Sequence, residues 1–81
     1  MELSDNLKTT INQVAANIPS DVFDGSESRQ EMTEIMAELV VDAGRIGQVN
    51  QDAQTEMDSL MDENFGTAIG LVEKQVGYYV G

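Results

Sequence analysis

The sequence has no cysteine, no histidine and no tryptophan among its 81 residues. Without Cys the chain forms no disulfide, and without Cys and His it lacks the usual ligands of a structural zinc site. The same absences exclude a Ser-His-Asp triad and a Cys-His pair, because both need an imidazole base. We therefore expect a protein that is not an enzyme and that holds no cofactor or metal.

Basic residues are scarce. The chain has 4 Lys and Arg and 15 Asp and Glu, which gives a net charge of −11. So few basic side chains could neutralise only a few phosphates of a nucleic-acid backbone. We therefore expect no direct binding to nucleic acid. No glycine-rich loop is followed by Lys and Ser or Thr, so the chain has no P-loop, and we expect no small-molecule substrate.

Long apolar runs are also missing, because no stretch of 18 or more apolar residues occurs. This absence predicts that no helix spans a membrane. The first ten residues lack the basic and apolar regions of a signal peptide. We expect the protein to be located either in the cytoplasm or in a virion or other particle, in surroundings of either ordinary or high salt concentration. The sequence does not distinguish these alternatives.

The length predicts a single domain over residues 1–81. A chain this short buries only about 60% of the surface that its unfolded form exposes. Small domains commonly add disulfides, metals or oligomerisation to such a core. With the first two excluded, oligomerisation or docking onto a larger assembly is the expected source of further burial.

The first predicted helix covers residues 4–17. Ser4 is placed to cap its amino end, and Asp5 lies in the first turn, where the positive end of the helix dipole favours a carboxylate. Pro19 ends the pattern because the residue before a proline disfavours helical geometry. The large apolar residues recur at steps of three and four, which places them on one face: Leu3, Leu7, Ile11, Val14 and Ile18.

Residues 19–28 connect this helix to the next one. They are rich in Pro, Asp, Gly and Ser, which is typical of a loop with a turn at its single glycine. Val22 and Phe23 are apolar, and we expect them to fold back onto the helices. Ser28 and Glu31 match the S-x-x-E capping box that opens a helix.

The longest predicted helix runs from 29 to 63. Its apolar seam alternates steps of four and three over four heptad-like repeats, as in a coiled coil. Gly44 and Gly47 each cost about 1 kcal/mol relative to Ala in a helix, and they indicate either a kink or a close approach by another helix. Asn50 is a polar seam residue of the kind that often fixes register or oligomeric state. The seam comprises Met32, Met36, Leu39, Ala43, Ile46, Asn50, Ala53, Met57 and Leu60.

The last 18 residues, 64–81, contain only two charges, Glu73 and Lys74, so the whole net charge lies in residues 1–63. Apolar residues and glycines recur at helical steps, which predicts a helix over 67–79 that either continues the long helix or folds back. The ending V-G-Y-Y-V leaves an extended conformation open. Gly-x-x-x-Gly spacing lets two backbones approach closely. We expect this segment to pack between subunits, because one short first helix cannot cover the whole long seam.

Acidic residues recur at steps of three and four on the long helix. Glu34 faces Glu38, and Glu38 faces Asp42, one turn apart. Each like-charge pair costs about 0.2–0.5 kcal/mol in dilute salt and almost nothing in molar salt, where the Debye length is about 3 Å. This pattern favours adaptation to high salt. An acidic surface can also mimic DNA in the basic groove of a partner, and that alternative stays open.

These patterns predict an all-α fold with a short helix, a loop, a long kinked helix and a C-terminal helical segment, arranged as an oligomeric helical hairpin or small bundle. The predicted function is that of a structural or assembly subunit of a virion, filament or similar complex, whose partners are itself or other subunits. The alternative is a small acidic regulator or inhibitor that binds a basic partner. The predicted interface residues are Met32, Met36, Leu39, Ile46, Met57, Leu60, Phe65, Gly66, Ile69, Gly70, Val72, Val76, Gly77, Tyr78 and Tyr79.

Overall fold

Ser4 opens the first helix, as its position in the sequence predicts. A computed structural model describes residues 2–18 and 29–77, and its first helix, α1, is Asp5–Asn17. The Ser4 hydroxyl oxygen accepts the backbone N–H of Leu7 at 3.1 Å, so one of the amides left without a partner at a helix start is satisfied. The backbone becomes extended at Ile18, as expected of a residue that precedes proline.

The predicted connector 19–28 lies outside the described residues. The expected contacts of Val22 and Phe23 lie outside them for the same reason, as does the capping role of Ser28. The next helix, α2, is Arg29–Arg45.

The single kinked helix predicted over 29–63 is two antiparallel helices, which corrects that prediction. α2 ends at Arg45, and α3 is Gln51–Glu63. The turn 46–50 reverses the chain, so that the Arg45 guanidinium lies 4.0 Å from the carboxylate of Asp58 in the second half of α3. The heptad-like seam therefore folds back on itself, and α2 packs against α3.

Gly47, two residues beyond Arg45, provides the backbone conformation that terminates α2. Its φ of +77° is the only positive φ among the described residues, and glycine adopts this conformation without the steric cost that a Cβ brings. The N–H of Gly47 bonds to the Gly44 carbonyl at 3.2 Å, and the N–H of Gln48 bonds to the Ala43 carbonyl at 2.7 Å. These two bonds form a Schellman motif, which satisfies the last carbonyls of a helix.

Asparagines begin the remaining two helices. Asn50 is not a seam residue but the N-cap of α3, because its side-chain oxygen accepts the N–H of Asp52 at 2.8 Å and that of the next residue at 3.3 Å. Asn64 alone separates α3 from the last helix, α4, which is Phe65–Gln75. Its side-chain oxygen accepts the N–H of Thr67 at 3.0 Å, so the extended backbone at Asn64 redirects the chain and caps α4 at once.

α4 folds back instead of continuing α3. It packs against α2, α3 and α1, and residues 78–81 lie outside the described part of the chain. The all-α prediction is confirmed, and the described residues form a bundle of four helices around one apolar core. The core consists of Leu3, Leu7, Ile11, Ala15, Met36, Ala37, Val40, Val41, Ala53, Met57, Leu60, Ala68, Ile69, Val72 and Val76.

This core is closed within a single chain. The accessible surface is 4803 Å², close to the roughly 4800 Å² that a monomeric protein of this mass exposes. The argument that a second subunit must cover a long seam therefore does not apply, because α3 and α4 cover α2 themselves.

Candidate functional site

A shallow groove of about 440 Å³ lies between the end of α1, the second half of α2 and the turn 46–50. Its floor is apolar and only partly covered. Val14 and Ile18 pack against the edge of the core without being buried in it, and three further residues in the groove are exposed in part. The apolar lining consists of Val14, Ile18, Leu39, Ala43 and Val49.

Three amide side chains complete the groove. Gln13 and Asn17 come from α1, and Gln48 comes from the turn; all three are exposed. Every lining residue that the structure describes is therefore uncharged, on a chain with a net charge of −11. The groove combines apolar atoms with groups that both donate and accept hydrogen bonds.

Ile46 lies in the same turn as two of the groove residues. Its side chain is 70% exposed, the most exposed large apolar residue among those described. Phe65, at the start of α4, is 42% exposed. Single exposed apolar residues are common on proteins, and Ile46 is close in sequence to Gln48 and Val49, which line the groove.

Six of the predicted interface residues lie in the core of the single chain instead of on its surface. They face the other helices of the bundle because the long helix is divided and α4 folds back. As placed, they pack against one another within the single chain and are buried from solvent. They are Met36, Met57, Leu60, Ile69, Val72 and Val76.

The other predicted interface residues are accessible or lie outside the described part of the chain. Met32 and Leu39 are half-buried, and Leu39 lines the groove. Tyr78 and Tyr79 lie outside the described residues. The rest are exposed: Ile46, Phe65, Gly66, Gly70 and Gly77.

Acidic side chains gather on a different face, where α2 and α3 meet. Glu38, Asp42 and Asp58 line a shallow depression together with Arg45. The guanidinium lies 3.5 Å from Asp42 and 4.0 Å from Asp58, and its side chain is 63% exposed. One arginine thus lies within 4.0 Å of two carboxylates at an exposed site, where each ion pair contributes little to stability.

Searches of known protein families, of characterised proteins and of solved structures find no match to this chain. Across residues 2–18 and 29–77, no helix is both long enough and apolar enough to cross a membrane. In the same residues, His, Cys, Asp and Glu side chains form no group of three that could hold a metal ion.

The sequence did not indicate the groove as a unit. Val14 and Ile18 belong to the apolar face of the first helix, while Ala43 and Val49 belong to the long seam. Periodicity places each residue on its own helix but does not show that these helix ends converge. The signal that could have located the site is Gly47, because a glycine at this position can end α2 and bring the two parts of the seam together.

Proposed function

We propose that this protein is a non-catalytic assembly subunit that associates with itself through its uncharged apolar surface. The observation that supports the proposal is the shallow groove, whose described lining residues carry no charge on a strongly acidic chain, together with the exposed Ile46 in the adjoining turn. Apolar surface that stays exposed beside polar groups commonly marks a site of protein interaction. A virion, a filament or a similar particle is a setting in which a small non-catalytic subunit has a function.

The acidic remainder of the surface fits this role in high salt. Copies that each carry −11 repel one another in dilute buffer, since the Debye length is about 10 Å at 0.1 M ionic strength. At molar salt it falls to about 3 Å, and the repulsion is mostly screened. Self-association should therefore strengthen as salt is added.

Sedimentation velocity over a range of protein concentrations, in 0.05 M and in 1 M KCl, tests the proposal. We expect the mean mass to rise with concentration and to rise further at the higher salt. A protein that stays monomeric at high concentration in both buffers would rule out self-association.

The acidic depression around Arg45 favours a second candidate, a regulator or inhibitor that binds a basic partner. Glu38, Asp42 and Asp58 concentrate negative charge there, and such a field speeds the approach of a basic surface. This candidate predicts the opposite salt response, because binding between unlike charges weakens as salt is added.

The two candidates can be distinguished by titrating the protein onto a short polylysine and measuring binding by fluorescence anisotropy at both salt concentrations. A regulator should bind the polycation in dilute salt and lose binding when Asp42 and Asp58 are replaced by Asn. An assembly subunit should show self-association that these two substitutions do not weaken.

A further inference from the structure

We infer that two copies of this chain exchange α4, forming a dimer in which α4 of each copy packs into the core of the other. The exchange requires α3 and α4 to join into one straight helix over residues 51–75. It does not use the groove, so it goes beyond the surface association proposed above. Exchange of an identical element is a low-cost route to a dimer, because the contacts that each copy gives up are restored by its partner.

The connection between α3 and α4 is the first reason. Only Asn64 separates the two helices. Its N–H bonds to the Leu60 carbonyl at 3.0 Å, and its carbonyl accepts the N–H of Ala68 at 3.0 Å. Both bonds join residues four apart, as in a continuous α-helix. The departure from helical geometry lies at Asn64, where φ is −159° and ψ is 98°, so a change at one residue straightens the chain.

The backbone amides at the start of α4 are the second reason. The first N–H groups of a helix have no carbonyl one turn before them. In a straight helix over 51–75, the N–H groups of Phe65, Gly66 and Thr67 would bond to the carbonyls of residues 61–63. In the bent form the Asn64 side chain replaces one of these bonds, because it accepts the N–H of Thr67 at 3.0 Å. Straightening therefore gains backbone hydrogen bonds.

The turn between α2 and α3 offers no comparable route. Residues 46–50 separate these two helices, and Gly47 among them has a φ of +77°. Several backbone angles would have to change together before α2 and α3 could join. Of these two connections, the one at Asn64 is therefore the one that straightens, and α4 is the element that it releases.

The apolar face of α4 makes a second copy of this chain the partner. A straight helix of about 25 residues is about 37 Å long, which exceeds the 30 Å length of the folded chain and carries α4 beyond its own bundle. The apolar side chains of α4 would then be exposed, and the site that fits them is the one that a second copy has vacated in the same way. These side chains are at most 4% exposed in the single chain: Ala68, Ile69, Val72 and Val76.

Phe65→Pro tests whether the helix must straighten. Proline fits the first position of α4, where the N–H that it removes has no helical partner, and it keeps the preceding Asn64 extended. In a straight helix the same proline would remove a hydrogen bond and clash with the preceding turn. The control is Phe65→Ala, which removes the same side chain and leaves the connection free to straighten.

Sedimentation equilibrium gives the readout, in 1 M KCl because salt at that concentration screens the repulsion between acidic chains. Since α4 is tethered beside its own site, a second copy competes with it only at protein concentrations of about 1 mM. We expect the unmodified chain and Phe65→Ala to form dimers in that range and Phe65→Pro to remain monomeric. Circular dichroism should show that the variants keep their helices.

Asn64→Ala should shift the equilibrium in the opposite direction. It removes the side chain that caps α4 in the bent form, and Ala favours the helical conformation more than Asn does. Because both copies gain, the dimer dissociation constant should fall at least about tenfold. This variant does not depend on whether the proline variant folds.

Cross-linking identifies the exchange directly. Gln75 of α4 donates a hydrogen bond to Asn12 of α1 at 3.2 Å, and the chain has no cysteine. A short bis-maleimide added to Asn12→Cys with Gln75→Cys joins these positions within one chain in the bent monomer. In the exchanged dimer it joins two chains, so a denaturing gel should show twice the mass.

The outcomes distinguish this inference from the surface association. If the unmodified chain and Asn64→Ala both stay monomeric at about 1 mM, the exchange is overturned. Association that is as strong for Phe65→Pro as for Phe65→Ala, or a cross-link that stays within each chain of a dimer, overturns the exchange and leaves the surface association standing.

Discussion

Gly44 of α2 lies directly against Gln54 of α3. A Cβ on Gly44 would lie 2.1 Å from the Cβ of Gln54 and 2.2 Å from its Cγ. Gln54 is buried and held in place, because it accepts a hydrogen bond from Gln51 at 2.6 Å and donates one to Asp58 at 2.7 Å. The absence of a side chain at Gly44 therefore sets how closely the two helices pack.

We predict that Gly44→Ala destabilises the protein. The new methyl group meets atoms next to the α3 backbone, so the helices must move apart, and overpacking of this kind typically costs about 1–3 kcal/mol. Because the clashing atoms would be only 2.1 and 2.2 Å away, we expect the upper part of that range, which exceeds the gain of about 1 kcal/mol from replacing a helical Gly by Ala. Thermal unfolding should show a lower melting temperature.

Gly70→Ala is the matched control, because a Cβ there has no heavy atom within 4 Å. Gly70 is exposed in the middle of α4, so this variant should gain about 0.5–1 kcal/mol of stability. If Gly44→Ala is stabilised as much as Gly70→Ala, the close contact with Gln54 does not exist.

Gly47→Ala should destabilise the protein for a different reason. A Cβ at Gly47 has free space around it, but the φ of +77° remains unfavourable. The left-handed conformation costs an L-residue about 1–2 kcal/mol. Urea unfolding should therefore show that the free energy of unfolding falls by that amount. Gly47→Asn should lose less, because Asn tolerates this conformation better than Ala. Equal losses for Ala and Asn would argue against a conformational cause.

Ser4 and Glu56 should prove energetically coupled. The Ser4 backbone N–H donates to one Glu56 carboxylate oxygen at 3.0 Å, and the Ser4 hydroxyl donates to the other. Ser4→Ala should cost about 0.5–2 kcal/mol through the lost cap of α1, and it also removes the hydroxyl bond to Glu56.

A double-mutant cycle with Glu56→Gln isolates the coupling between the two side chains. Residues in one hydrogen-bond network usually show a coupling energy of at least about 0.5 kcal/mol. Ser4→Thr keeps the hydroxyl group and serves as the conservative control. Free energies that simply add in the double variant would mean that the carboxylate does not support the cap.

Glu38→Gln should stabilise the protein in dilute salt. This substitution removes repulsion from Glu34 and Asp42, each one turn away on α2, and each such pair costs about 0.2–0.5 kcal/mol. The gain should disappear in 1 M KCl, where the Debye length is about 3 Å. Chemical denaturation with urea at both salt concentrations measures the difference.

Asp5→Asn is the control for Glu38→Gln because it changes the net charge by the same amount. Asp5 lies in the first turn of α1, where a carboxylate stabilises the helix by about 0.3–1 kcal/mol. Its loss should therefore destabilise the protein in dilute salt. A gain in stability from both substitutions would mean that net charge, and not local placement, governs the effect.

Local patterns in the sequence were sufficient to predict the helical class and the first helix. Ser4 caps α1 as expected, because a hydroxyl beside an amphipathic run satisfies amides within its own turn. The apolar series around Ile69 predicted a helix close to where α4 lies. The choice between continuing the long helix and folding back stayed open, since both satisfy the same periodicity.

What the sequence determined by itself is therefore local: helical periodicity, the cap at Ser4, the absence of cysteine and histidine, and the concentration of charge before residue 64. Only the tertiary structure decided which apolar residues are buried. Gly47 and Asn50 reverse the chain within five residues, so Met36 and Met57 become core residues while Leu39 and Ile46 are left accessible. A helical repeat fixes the direction of a side chain relative to its own axis, but burial depends on where other helices lie. That arrangement follows from a glycine conformation and from the close approach at Gly44, which no periodic pattern encodes.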